Sequence, residues 1–210
     1  MCRNNSMNCG CGCPAENNVG CNAGPFVGID AACIPTIPSN LGSAIIPFSS
    51  GNTPAIILTD VSGLPETVAL LGFGTAITGI PFTGTSIDLT ASVGTEAFAV
   101  ARAGSITAIA ASFSATATIA VAGTVTIRAQ IYRATADSNI FNPTNAFVDL
   151  VPPLSAIAVG TLTRGRKTIT PPVQVADDDL LLMVISASAT GTAPLNNFIT
   201  GNASAGITIA

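Results

Sequence analysis

The chain has 210 residues, a formal net charge of −4 and only 9% charged residues, and it contains no histidine and no tryptophan. The absence of histidine excludes the Ser-His and Cys-His pairs of nucleophilic catalysis, and one lysine with six arginines provides no basic surface for nucleic acid. A surface so poor in charge favours burial against copies of the same chain.

The N-terminal segment, residues 1–41, differs in composition from everything that follows. It is rich in Asn and Gly, has no hydrophobic period, and ends in the proline-spaced "CIPTIPSN", which favours extended backbone. We therefore predict an extended arm without a core of its own. Its start, "MCRNNSMNCG", has no apolar core, so no secretory signal peptide is expected. All six cysteines of the chain lie in this segment: Cys2, Cys9, Cys11, Cys13, Cys21 and Cys33.

Residues 42–210 show the pattern of a β domain. Short aliphatic and Thr-rich runs alternate with Gly, Pro, Asn and Asp, and no run of ten residues combines strong helix formers with a 3.6-residue period. In "GTVTIRAQIYR" the aliphatic residues occupy every second position from Val125 to Ile131, which places Tyr132 on the opposite, polar face. We predict an all-β fold with a single jelly-roll or β-sandwich domain of about ten strands.

Several short stretches within this domain have specific expectations. "GFGTAI", Gly72–Ile77, lacks the third glycine of a dinucleotide loop and is expected to be a turn or strand bend. Residues 134–145 and 164–172 are expected to be loops, and the basic run Arg164–Lys167 is interpreted as a solvated hairpin turn, with an acidic patch on a neighbouring subunit as the alternative. The acids Asp177–Asp179 are expected to form a turn between strands, where a weak calcium site stays open.

The C-terminal part of the chain is uncharged from residue 180 onwards. "LLLMVI", Leu180–Ile185, predicts a strand buried on both faces, and the terminal "SAGITIA" predicts another strand. Residues 103–127 are also uncharged, but both regions are studded with Ser, Thr, Gly or Asn, so we expect no membrane-spanning helix.

From Gly42 to Ala210 the chain resembles the C-terminal domain of BclB-type exosporium glycoproteins of bacterial endospores. The matching pieces occur in the right order: "GSAIIPFSSG", "LLGFG", "SIDLT", "FAVARAGSITAIAASFSATA", "VTIRAQIYRA", "LLLMVISASATG" and "NASAGITIA". The resemblance implies a jelly roll on the spore surface, able to assemble as a trimer, and made in the mother cell without a signal peptide. Family members commonly carry a collagen-like region before this domain, whereas this chain has the Cys-rich segment.

Three interpretations of the cysteines are open. A metal site would use thiolates spaced C-x-C-x-C without histidine, unlike the paired knuckles of structural zinc. An intrachain disulfide framework is typical of chains too small for a core, which this one is not. Cross-linking between subunits is favoured, because 41 extended residues span up to roughly 135 Å. The domain itself is expected to be only about 40 Å across.

These observations predict a non-enzymatic structural protein of the spore surface that assembles with itself into a fibre, an appendage or a layer. Disulfides between N-terminal segments would lock neighbouring copies, and other spore-coat or exosporium proteins are further candidate partners. No catalytic, cofactor or metal residue is assigned. The alternative is a trimeric adhesion or ligand-binding domain that the N-terminal segment anchors to the spore coat.

Overall fold

The computed structural model describes residues 42–82, 84–91 and 96–210. No helix occurs within these ranges, and twelve strands, rather than about ten, carry the fold. They are β1 Ala44–Ser49, β2 Ala55–Thr59, β3 Pro65–Leu71, β4 Ala76–Pro81, β5 Ile87–Asp88, β6 Phe98–Ala99, β7 Gly104–Ala115, β8 Thr124–Ala134, β9 Ile140–Asp149, β10 Leu162–Val175, β11 Leu180–Thr190 and β12 Asn197–Ile209.

The strands pair antiparallel in the order β10–β7–β12–β2–β3–β11–β8–β9–β5. β1 also pairs with β12, β4 with β3, and β6 with β11. Side chains from β7, β10 and β12 meet side chains from β8, β9 and β11 in one apolar core. The prediction of an all-β, single jelly-roll or β-sandwich domain is confirmed, and Ser43–Ala210 forms one compact unit.

The main core is built by alternate residues, as the period of two requires. On β8 the four predicted aliphatic positions are all buried: Val125, Ile127, Ala129 and Ile131. The core-facing side of β7 carries Ile109 and Phe113, and the core-facing side of β12 carries Ile199 and Ile207. β12 pairs with β7 on one side and with β1 and β2 on the other, so the C-terminal strand lies in the interior of its sheet.

β11 is buried on both faces, as its sequence predicts. Leu181 and Met183 point into the main core. Leu182 and Val184 point the other way, into a second cluster that residues of β3, β8 and β9 complete and that Ile77, Ile80 and Phe82 cover. This second cluster explains why the strand has no polar residue from Leu180 to Ile185.

Tyr132 corrects one prediction. Alternation along β8 places it on the polar face, yet it is only 4% exposed. The cause is the second cluster, in which Tyr132 packs with Phe141 and Leu182 beneath residues of the β4 region. A face that is partly exposed at Thr126 and Arg128 is therefore covered at its other end.

The predicted loops at residues 164–172 and 134–145 are also partly wrong. Arg164–Lys167 is no hairpin turn: it lies inside β10 and pairs with β7. β10 continues through Pro171 and Pro172 because they fall where the register shifts between Thr168 and Val173, and β10 bonds to a full strand only on its β7 side. β9 likewise begins at Ile140, within the second predicted loop.

Candidate functional site

The six cysteines singled out by the sequence, Cys2, Cys9, Cys11, Cys13, Cys21 and Cys33, lie outside the described residues. Residues 34–210 contain no cysteine. Any disulfide between two copies of this chain must therefore join a position within residues 2–33 of one copy to a position within residues 2–33 of the other. The described residues begin two positions before β1, whose first residue, Ala44, pairs with Ile209.

A groove crosses the outer face of β10, β7 and β12. Two cross-strand rows build it: Arg164, Ser112 and Ser204 form one row, and Arg166, Ala110 and Gly206 form the next. The groove has a volume of about 890 Å³. We call this feature the basic groove. Its floor is low because Ala, Ser and Gly occupy every central position, so the two arginines stand along one side of it.

The hydroxyls of the floor are already partnered. Ser112 Oγ and Ser204 Oγ lie 2.9 Å apart and share a hydrogen bond across the β7–β12 pair. The backbone of both strands is engaged in the ladder. The floor therefore offers shape and little unsatisfied polarity, and the charge of the basic groove comes from its rim.

Asp149 also lines the basic groove, but its carboxylate is already bound by Arg128. Arg128 donates from Nε to Oδ1 at 2.6 Å and from Nη2 to Oδ2 at 3.0 Å, which is a two-point contact between guanidinium and carboxylate. Hydrogen bonding to Asp149 raises the pKa of Arg128 above its ordinary value. Because this acid and base neutralise each other, the net charge of the groove is that of Arg164 and Arg166.

Neither Arg164 nor Arg166 has a carboxylate partner among the described residues, where the ion pairs are those of Arg128 with Asp149 and of Arg133 with Asp179. Both side chains are exposed. Lys167, the next residue, points elsewhere and contacts the ring of Phe147. The basic run of the sequence therefore divides into two groove residues and one packing residue.

Acidic residues gather at one end of the domain, where β10 joins β11 and β8 joins β9. Asp177 and Asp178 are exposed in the β10–β11 turn, and Asp88 and Asp137 are exposed beside the β8–β9 turn. The two turns are neighbours because Leu180 of β11 pairs with Ala134 of β8. Ala176–Asp179, which we call the acidic turn, confirms the prediction of a turn between two strands.

Asp179 has a structural role in the acidic turn. It is 3% exposed, its Oδ2 accepts a hydrogen bond of 2.7 Å from the amide of Ala176, and the same oxygen lies 3.6 Å from Nε of Arg133. In the described part of the chain, no three acidic, cysteine or histidine side chains are grouped to hold a metal ion. Asp177 and Asp178 thus remain as the free charges of this turn.

The remaining sequence motifs fall in ordinary places. Gly72–Thr75 connects β3 to β4, as the prediction of a turn or strand bend states, and Thr75 Oγ1 donates to Glu96 at 2.8 Å. Residues 42–82, 84–91 and 96–210 hold no helix long and apolar enough to cross a membrane.

The basic groove itself was missed at the sequence level. A signal was present, since small residues alternate in "ITAIAASFSA" of β7 and "NASAGITI" of β12. The groove requires the additional knowledge that β7 pairs with both β10 and β12, which are far from it in sequence. Periodicity within one segment cannot provide that pairing.

No protein-family model and no curated protein sequence matches the chain. Among solved structures, it is similar to Eiger TNF from S. frugiperda, with 9% identity and a TM-score of 0.37 over 80% of this chain and 92% of that one. It is also similar to infectious bursal disease virus, Gx strain, with 14% identity and a TM-score of 0.35 over 80% of this chain and 33% of the viral chain. The chain thus spans about a third of the viral chain. Neither likeness carries information on what this chain binds.

Proposed function

We propose that this chain is a non-enzymatic structural protein of the bacterial spore surface, which assembles with itself into a fibre, an appendage or a layer and is locked by disulfides between N-terminal segments. The observation that carries the proposal is the separation of thiols from the folded domain. Six cysteines lie within residues 2–33, and none lies in residues 34–210. The spore-surface location rests on the resemblance to BclB-type exosporium proteins.

The folded domain is consistent with this proposal, because it does not require the cysteines for its own stability. Its core is made by its own aliphatic residues, so it needs no disulfide to fold. Its surface carries few charges, which favours association between copies. Cross-links formed outside the domain would then hold together copies that already touch through their folded surfaces.

Electrophoresis of the full chain with and without reductant tests the covalent part of the proposal. We expect a ladder of multiples of the monomer without reductant and a single monomer band with it. The matched control replaces all six cysteines with serine. This variant should show the same far-ultraviolet circular dichroism and the same unfolding midpoint as the reduced wild type, but no ladder.

Two results would contradict the disulfide assembly. A monomer band without reductant would show that the thiols do not join copies. Stoichiometric zinc bound by the full chain, lost in the six-serine variant, would assign the cysteines to a metal site instead. A discrete trimer that never grows would favour the second candidate function, a trimeric adhesion or ligand-binding domain, which the basic groove equips with a binding surface.

A further inference from the structure

We propose that the basic groove of one copy receives the acidic turn of a second copy of this chain. This inference deepens the proposed self-assembly, on which it rests, by naming the two surfaces that touch before any disulfide forms. The occupant is argued from charge complementarity within a chain that carries very few charges. The groove presents Arg164 and Arg166, and the turn presents Asp177 and Asp178.

The two groove arginines are spaced to hold two carboxylates. They are two residues apart on one strand, so both side chains leave the same face, about 7 Å apart along β10. Each guanidinium presents a planar fork of donors that suits a carboxylate. The one acid within the groove, Asp149, is held by Arg128 at 2.6 Å and does not compete for them.

The acidic turn is held rigid from behind. The amide of Asp178 donates to the carbonyl oxygen of Val100 at 2.8 Å, and the amide of Val100 donates to the carbonyl oxygen of Asp179 at 2.8 Å. Asp178 has φ 63°, a left-handed conformation that an Asp tolerates at a sharp turn. Little ordering is therefore required when this turn binds a partner, which favours association.

The shapes of the two surfaces also agree. The turn is a narrow tip of four residues, whereas the groove has a floor of Ala110, Ser112, Ser204 and Gly206 and a volume of about 890 Å³. Apolar surface flanks the arginines, because Val151 is 61% exposed and Leu162 is 40% exposed. Exposed ion pairs alone stabilise a contact weakly. We therefore expect burial of this apolar rim to stabilise the contact, and the charge pairs to orient the two copies.

The two surfaces of a single copy cannot meet each other. Arg166 pairs with Ala110 and Val175 pairs with Gly104, so even the nearer row of the groove is six residues of β7, or roughly 20 Å along the strand, from the turn. A contact between different patches leaves one groove and one turn free on every pair of copies. Such a head-to-tail contact generates an open chain or a closed ring of subunits.

The experiment uses the full chain in reductant, where only non-covalent association remains, and follows mass by sedimentation. The groove variant is Arg164→Glu with Arg166→Glu, and the turn variant is Asp177→Arg with Asp178→Asn. Asn is chosen at Asp178 because it tolerates the left-handed conformation. We expect each variant alone to associate at least about tenfold more weakly than the wild type, since like charges now face each other or the pairs are lost.

Mixing the two variants provides the decisive result. The acidic groove of one now faces the basic turn of the other, so the mixture should recover association that neither variant shows alone. Glu66→Arg is the control: it changes an exposed charge on β3, outside both the groove and the acidic turn, and should associate as the wild type does. Raising the salt concentration should weaken the wild type, because exposed charge pairs are screened.

The outcomes separate this inference from the proposed function. A disulfide ladder without reductant, together with variants that associate normally in reductant, would overturn the groove contact and leave the covalent assembly intact. A wild type that is monomeric in reductant would also overturn it. A mixture that fails to recover association, from variants whose unfolding midpoints equal that of the wild type, would overturn the pairing of the groove with the turn.

Discussion

The ammonium nitrogen of Lys167 lies 3.7 Å from the centre of the Phe147 ring, and it ties β10 to β9 at the open edge of the sandwich. The guanidinium carbon of Arg128, on β8, lies 4.4 Å from the same ring centre. Three strands therefore meet at one half-buried aromatic side chain. A cation held near an aromatic ring is stabilised by the charge distribution of the ring.

Replacing Phe147 with Leu should remove both cation contacts and keep an apolar side chain. Each such contact contributes about 0.5–1 kcal/mol at an exposed site, so we expect a loss of about 1–2 kcal/mol in the free energy of unfolding. Urea denaturation in reductant measures it. Phe198→Leu is the control, since Phe198 is 51% exposed and should change stability by less than about 0.5 kcal/mol. Equal effects of the two substitutions would argue against a role for the cations.

Asn197 is expected to be one of the most sensitive polar residues of the domain. It is 5% exposed, its Nδ2 donates to the carbonyl oxygen of Leu195 at 2.8 Å, and its Oδ1 accepts from the amide of Ala122 at 2.7 Å. Its backbone amide donates to Thr59 Oγ1 at 2.9 Å. Replacement by Ala should cost at least about 2 kcal/mol, because buried partners are left unsatisfied.

Thermal and urea unfolding of Asn197→Ala check this expectation against Asn202→Ala. Asn202 lies on the same strand but is exposed, so its substitution should be close to neutral. If the two variants unfolded at the same urea concentration, the buried hydrogen bonds around Asn197 would contribute nothing to stability.

Two glycines of β12 should respond in opposite ways to alanine. A Cβ at Gly201 would lie 2.5 Å from the carbonyl oxygen of Ser114 and against the ring of Phe113. Overpacking of this kind costs about 1–3 kcal/mol. A Cβ at Gly206 meets nothing closer than the carbonyl oxygen of Ile46 at 3.8 Å.

We therefore expect Gly201→Ala to lower the unfolding midpoint and Gly206→Ala to leave it unchanged or to raise it slightly, because the unfolded chain loses freedom. Gly206 is also part of the floor of the basic groove, so the second variant tests whether a methyl group there weakens association without any loss of stability. A stable Gly201→Ala variant would show that the ring of Phe113 and the backbone at Ser114 can both shift to admit a methyl group.

Tyr132 predicts a specific fall in stability at high pH. Burial raises the pKa of its phenol above the ordinary value of 10.0, and the nearby charge of Arg128 opposes this only in part. Because the folded-state pKa is raised, the stabilisation is complete below about pH 10, the ordinary tyrosine pKa in an unfolded chain. It is lost as the pH rises through the folded-state pKa.

Unfolding of the wild type and of Tyr132→Phe in reductant, over a pH series, isolates this effect. The wild type should lose stability more steeply than the variant above about pH 10, and the two curves should run parallel below it. Tyr132 is the only tyrosine of the chain, so the ultraviolet absorbance of its ionised form reports its titration directly. Parallel curves at all pH values would contradict a raised pKa.

The sequence was sufficient to predict burial in those strands where the pattern of neighbouring residues along the chain determines it. The alternation in β8 and the uniformly apolar run at the start of β11 both determine burial locally, and both predictions are confirmed. Tyr132 was misplaced because its cover comes from β4 and the residues after it, more than forty positions earlier. Alternation specifies a face of a strand and says nothing about what covers that face.

The basic groove could not be predicted for a related reason. Arg164 and Ser112 face each other across β10 and β7, and Ser112 faces Ser204 across β7 and β12. Each pairing joins residues about fifty to ninety positions apart, and loop closure between such segments leaves no local pattern. The wrong prediction of a turn at Arg164–Lys167 also reflects pairing that the local sequence does not show. The prolines that follow this run indicate the end of a strand, but an edge strand tolerates proline.

The position of β12 has a consequence for the order of events during synthesis. β12 pairs with β1, β2 and β7, so the domain is not closed until this strand has been made. A chain emerges from the ribosome N-terminus first. The cysteines within residues 2–33 therefore leave the ribosome long before residues 197–209 are synthesised. Thiols oxidised in that interval would join nascent chains whose domains are still open. A reducing compartment during translation, followed by later oxidation, would let each subunit fold before it is linked.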